Sequence, residues 1–276
     1  MGRPVRERNA QARPDAVDAL HRRIDDIVSF QKKRGPWYRD PALIISASAF
    51  FISVMTTVVS WHRTYQQDVS ALKTQLRAAI QQANNLAMQN MELYEKFKND
   101  NSRLLNAASI LNTQNVIVAK EAYSLAKALG NAASSLELAS AAQALLASDE
   151  SLLAEDLLND AVTRAENSVS YAASLRSLSA LQFQNGQRGE ANASFNRALA
   201  VFDQFPKEAN NQDYVNITQA YTYLFWSSTV KMADCGLAKE TLTKVNQYLA
   251  RLPPDLPQAD VMRREAQRLN LDLSGC

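Results

Sequence analysis

The chain has 276 residues, with 30 Lys and Arg against 28 Asp and Glu, a formal net charge of +2, two histidines and two cysteines. This near-balance lacks the large basic excess that draws a protein to nucleic acid, and no nucleic-acid motif accompanies it. With so few His and Cys, clustered metal ligands are excluded. His21 and His62 both lie near the start, so a Ser–His–Asp or Cys–His site in the later part of the chain is excluded too.

Punctuation sets the fold class. No proline occurs between Pro41 and Pro206, and no glycine between Gly35 and Gly130. Both residues disrupt helix interiors, so their absence permits very long helices. Strand-like alternation is nearly absent, and Ala, Leu, Gln, Asn, Ser and Glu dominate. The expectation is an all-α protein.

Residues 1–41 read as a basic cytoplasmic segment, with ten Lys and Arg against six Asp and Glu. Within it Val17, Leu20, Ile24, Ile27 and Val28 recur at helical spacing after the start signals Pro14 and Asp15, and "KKRGPW" closes the pattern. This predicts a short amphipathic helix that lies on the membrane or docks a partner.

Residues 42–61 contain no charge over 20 positions. A helix of that length covers about 30 Å, the hydrocarbon thickness of a bilayer. Trp37, Tyr38 and Trp61 flank it as interfacial anchors. The long preceding segment and the absence of a small-residue cleavage site after it favour an uncleaved signal anchor over a removed signal peptide. Lys32, Lys33, Arg34 and Arg39 precede the span and only Arg63 follows closely. The positive-inside rule therefore places the N-terminus in the cytoplasm and the rest outside it, most simply in the periplasm of a bacterial inner membrane.

Residues 62–112 read as a coiled-coil-like helical stalk. Val69, Leu76, Ala83, Asn90 and Phe97 form one heptad column, and Leu72, Ala79, Leu86 and Leu93 form the other. Asn90 is its polar break. Such a seam serves either a parallel homodimer through 69–97 or packing on later helices of the same chain. A break is expected over 98–103.

Residues 113–276 begin with a helix over 114–130 and continue as paired helices. In Ala173–Pro206 the first helix carries Leu175, Leu178 and Ser179, the turn has Gly186, and the second helix carries Ala191, Phe195, Ala198 and Leu199. This stretch resembles the tetratricopeptide repeat, a 34-residue helix–turn–helix unit. It departs from the family pattern at Arg188, where a turn aromatic is expected. Weaker copies lie upstream (Leu138, Ala142, Leu145, Ala154, Leu158, Ala161) and downstream (Ala238, Leu242, Val245). A terminal helix with Val261, Ala266, Leu269 and Leu271 inward would cap the stack. The resemblance implies a TPR-like α-solenoid over roughly residues 118–272. It also implies a partner-binding groove lined by the first helix of each unit: Leu136, Gln143 and Leu146, then Arg176, Phe183 and Gln184, then Tyr223, Val230 and Lys231. The aromatic run Tyr214, Tyr221, Tyr223, Phe225 and Trp226 reads as mainly core, with an aromatic binding face as the alternative.

Acidic pairs such as Asp149/Glu150 and Glu155/Asp156 read as helix-start charges rather than acid–base groups. Cys235 precedes a helix over 237–251, "LPPDLP" reverses the chain, and a helix over 258–271 returns. That predicts a Cys235–Cys276 disulfide in an oxidising compartment. No catalytic residue, metal or cofactor is expected. The reading is a membrane-anchored scaffold or adaptor that presents a repeat domain outside the cytoplasm to a protein partner of an envelope complex. The alternatives are a transmembrane regulator working through the cytoplasmic helix and, further off, an envelope enzyme.

Overall fold

The computed structural model describes residues 18–26, 29, 41–97 and 101–275, and side chains within these except at 41–44 and 101–103. Every regular element among the described residues is a helix. Packing divides the chain into two units, residues 1–66 and residues 67–276.

In the first unit, α1 is described over 18–26, with Leu20 and Ile24 exposed. The rest of the predicted amphipathic helix, and the flanking Trp37, Tyr38, Lys32, Lys33, Arg34 and Arg39, lie outside the described residues. α2 spans Pro41–Phe97, and its part from Ile45 is long and apolar enough to cross a membrane. No residue of that apolar window is buried by the protein itself: Phe50, Phe51, Ile52, Val54, Met55, Val58 and Val59 all face outward. Two of the hydroxyls within it, those of Thr56 and Thr57, are satisfied locally. Thr56 Oγ1 donates to the Ile52 and Ser53 carbonyls at 2.9 Å, and Thr57 Oγ1 to the Ser53 carbonyl at 2.8 Å. Side-chain-to-backbone bonds of this kind let small polar residues sit in an apolar medium without an unpaired donor.

In the second unit, α2 from residue 67 onward packs with α3 (Asn101–Leu129). The bounds of α2 and α3 bracket the predicted break, whose residues 98–100 lie outside the described set. Leu76, Ala79, Ala83 and Leu86 are buried in one cluster with Val118, Ala119, Ala122 and Ala126 of α3 and with Leu138. These are the side chains a parallel homodimer through 69–97 would share, and one chain covers them here. The helix expected over 114–130 is longer at its start, because α3 supplies the other half of this seam.

Gly130, with φ +50°, turns the chain out of α3 into a short 3₁₀ segment, Gly130–Ala132. Three helical hairpins follow in series: α4 (Ser135–Leu146) with α5 (Ser151–Thr163), α6 (Ser168–Gln184) with α7 (Arg188–Leu199), and α9 (Gln212–Val230) with α10 (Cys235–Leu249). A one-turn helix, α8 (Val201–Gln204), links the second to the third, and α11 (Pro257–Leu273) closes the chain. Joined by short turns, the two helices of each hairpin run antiparallel.

Local chemistry starts these helices. Ser134 and Glu137 form a reciprocal capping box at α4, Asn167 caps α6, Asn211 caps α9 and Asp234 caps α10. Pro257 occupies the first turn of α11, where its missing N–H costs nothing. The α6–α7 turn needs Gly186 at φ +79°, a left-handed conformation that an L side chain resists.

Within the series α4, α6, α9 and α11 pack side by side, while α5, α7 and α10 each also pack on the helix that follows their hairpin, α5 on α6, α7 on α9 and α10 on α11. All of Leu138, Ala142, Leu145, Ala154, Leu158, Ala161, Leu175, Leu178, Ala191, Phe195, Ala198, Ala238, Leu242 and Val245 are buried. Small residues at many of these positions let the helix axes approach closely. In α11 the buried stripe is Ala259, Met262, Ala266, Leu269 and Leu273. Val261 and Leu271, expected inside, are exposed because they lie off this stripe at 100° per residue.

The acids singled out in the sequence tie α3 to α5. Tyr123 Oη donates to Asp156 at 2.9 Å, Lys127 Nζ contacts Asp156 at 2.6 Å and Asp160 at 2.9 Å, and Lys120 pairs with Glu150 at 2.7 Å. Burial alone would raise the Asp156 carboxyl, but hydrogen bonds from Lys127 and Tyr123 outweigh it and hold the group below its ordinary value.

Candidate protein-binding face

The face built by α4, α6 and α9 was expected to carry the groove. On α4, Leu136 is 71% exposed and Gln143 is exposed, its Nε2 donating to Ser177 Oγ of α6 at 3.0 Å. Leu146 is half-buried against the first core cluster. Gln184 is exposed at the end of α6.

Of the other expected groove residues, Val230 is buried, and Phe183 and Tyr223 are half-buried against the second core cluster. Val230 is 0% exposed and offers no surface to a partner. Phe183 packs edge-on against Trp226 with centroids 5.6 Å apart. Tyr223 lies between Phe195 of α7 at 5.7 Å and Tyr248 of α10 at 5.8 Å, and burial raises its phenol above the ordinary pKa. Trp226, stacked on Phe195 at 4.8 Å, is the centre of this aromatic packing. The physical reason is helical phase. On α9 the accessible side carries Tyr221, Phe225 and Ser228, so a register displaced by two residues turns about 200° and points into the second core.

The accessible side of α9 and the facing side of α11 enclose a cleft of about 340 Å³, lined by Tyr221, Phe225, Ser228, Lys231, Glu265 and Arg268 among others. Lys231, the one expected groove residue in it, pairs with Asp272 at 3.0 Å. Glu265, Arg268 and Asp272 of α11 were not anticipated. Their signal was present: 221, 225 and 228 recur at one-face spacing on α9, and 265, 268 and 272 do so on α11.

Arg176 stands at the edge of this region. It is 8% exposed, its Cζ lies 4.6 Å from the Tyr221 ring centroid, and Nη1 donates to Thr222 Oγ1 at 3.3 Å. Thr222 is its one hydrogen-bond acceptor among the described residues, and no described carboxylate pairs with it. Desolvation lowers the guanidinium to about 10.

A second recess of about 410 Å³ lies between the end of α2 and the start of α3, lined by Gln89, Leu93, Lys96, Ala107 and Ile110 among others. Cys235 is half-buried against the second core cluster, while Cys276, its expected partner, lies outside the described residues. Among the described residues no group of three His, Cys, Asp or Glu is placed to hold a metal ion. No family model matches the chain, and no curated protein matches it.

Proposed function

We propose that this chain is a non-enzymatic scaffold or adaptor. In this reading Ala42–Trp61 crosses a membrane once, with residues 1–41 in the cytoplasm. A TPR-like α-solenoid built from α4 to α11 is then held on the extracytoplasmic side, where it recruits a protein partner of an envelope complex. The observation that carries it is the presence in one chain of an uncovered apolar helix and of a series of hairpins whose last first helix, α9, leaves an open cleft of mixed character against α11. Clefts lined by aromatic rings beside charged groups suit peptide recognition, in which a few buried anchors supply most of the binding free energy.

The partner face in this proposal is Tyr221, Phe225, Ser228, Lys231 and Arg268, with Gln143 and Leu136 extending it along α4. The test is affinity capture from detergent-solubilised membranes with the full chain, its Tyr221→Ala and Phe225→Ala variants, and Leu152→Ala as an exposed control on α5. Loss of a captured protein in the first two but not the control supports the reading. Undiminished capture by both cleft variants excludes this face.

A further inference from the structure

We propose that Arg176 is the receptor for a carboxylate carried by an acidic side chain of the partner segment, seated where α6 meets α9 at the margin of the α9–α11 cleft. This rests on the binding-face reading above and names the chemistry of its ligand.

The argument begins with cost. A guanidinium taken out of water without an anion loses more solvation than one neutral hydrogen bond returns. Arg176 has five N–H donors and, among the described residues, the one acceptor at Thr222. Its Cζ lies 4.6 Å from the Tyr221 ring centroid, and the N–H groups not used on Thr222 have no acceptor among the described residues, a set that suits a planar, two-oxygen anion. The remaining buried cation is therefore built and held but not neutralised.

The other buried charge among the described residues, Glu137, has a counter-ion. Glu137, also buried, is met by Arg77 at 2.8 Å and by the Ser134 hydroxyl and backbone N–H. Lys127, Lys120 and Lys231 each have a carboxylate within 3.0 Å. Of the two buried charges Arg176 has no counter-ion among the described residues, and the ring beside it also lines the cleft. A segment lying along the cleft with an apolar side chain against Phe225 brings a neighbouring acid to the edge of Arg176. Arg268 adds a second positive group on the opposite wall, which also carries Glu265 and Asp272, the latter paired with Lys231. The chemistry is an acidic and apolar peptide rather than a basic one.

The experiment uses the full chain in detergent micelles and an acetylated, amidated octapeptide of sequence Ser-Gly-Glu-Leu-Glu-Gly-Ser-Gly. It is compared with the same peptide bearing glutamine for glutamate, and with that glutamine peptide ending in a free carboxylate. Binding is read by fluorescence polarisation. The glutamate peptide is expected to bind about tenfold or more tightly than the amidated glutamine peptide, and Arg176→Gln and Arg176→Met to abolish that ratio. Arg176→Met keeps the volume and removes a desolvated charge, so its melting temperature should hold or rise while discrimination is lost. That outcome separates ligand recognition from a packing role. Equal binding of glutamate and glutamine peptides, a ratio unchanged in Arg176→Met, or preference for the free C-terminus overturns the inference. If Phe225→Ala abolishes partner capture while Arg176→Met leaves it intact, the binding face stands and the carboxylate receptor falls.

Discussion

Asn90 of α2 donates through Nδ2 to Asn112 Oδ1 of α3 at 3.0 Å. A polar residue at a seam position often sets the pairing of two chains in a coiled coil. Here it meets a counterpart 22 residues later in its own chain, while its own Oδ1 is buried without a partner among the described atoms. Replacing Asn90→Leu should stabilise the α2–α3 pair by about 1 kcal/mol, because it removes an unsatisfied acceptor and extends the apolar seam. Thermal unfolding in detergent measures this, and light scattering of the wild-type chain should report one copy per micelle. A wild-type dimer that Asn90→Leu disrupts would show that the seam pairs between chains.

The ion pairs between α3 and α5 make a pH prediction. Asp156 titrates below its ordinary 3.8, so its contribution is present above that value and is lost as pH falls through the folded pKa. Burial would lower Lys127, but its bonds to Asp156 and Asp160 outweigh this and raise it above 10.5, so its contribution is present below that value and is lost as pH rises further. Both groups are more than a third exposed, which limits the clamp to roughly 0.2–1 kcal/mol. Denaturant melts should show wild type and Asp156→Asn differing by that amount at neutral pH and converging below pH 3.8.

The sulfur bridge is testable on its own. Lys231 pairs with Asp272 at 3.0 Å, which brings the end of α11 beside the turn that opens α10 at Cys235. Cys276 follows Asp272 by as many residues as Cys235 follows Lys231. Non-reducing peptide mapping of protein from an oxidising compartment should yield a Cys235–Cys276 pair. Cys235→Ser should then cost about 2–4 kcal/mol, and a reductant should remove the same amount from wild type. Recovery of both peptides only as free thiols refutes the pairing.

The orientation proposed from the flanking charge is testable. Protease added to spheroplasts should cleave after residue 62 and leave an epitope placed at residue 10 intact. Cleavage of that epitope from the outside would reverse the orientation and, with it, the compartment proposed for the binding face.

Much of the architecture was legible because it rests on composition and spacing. The absence of Pro and Gly pointed to the long helices, and Leu138, Ala154, Leu175, Ala191 and Ala238 mark buried positions on both helices of the first two hairpins and on α10. Helix bounds near the end came out close, with α10 expected at 237–251 and found at Cys235–Leu249. Helical phase was not legible. Tyr223 and Val230 are as apolar as groove residues, and nothing in one helix says which of two apolar sides faces the neighbouring hairpin. Seam use was also undecidable locally, since Leu76 and Ala83 read the same whether the opposing helix belongs to α3 or to another copy. The role of Arg176 needed the tertiary contact with Tyr221, which lies 45 residues away in the sequence.

The hydrophobic interior of residues 67–276 is two clusters. One gathers α2 to α6 with Ala198 and Val201, and the other gathers Ala191 and Phe195 with α9 to α11. α7 contributes to both, so it is the joint across which cooperativity is transmitted. Amide hydrogen exchange should therefore resolve two protection classes that meet at α7, with α9 to α11 able to open while the earlier helices keep their amides. A ligand seated in the α9–α11 cleft would then slow exchange in the later class first, reporting occupancy through local opening rather than through any change of shape.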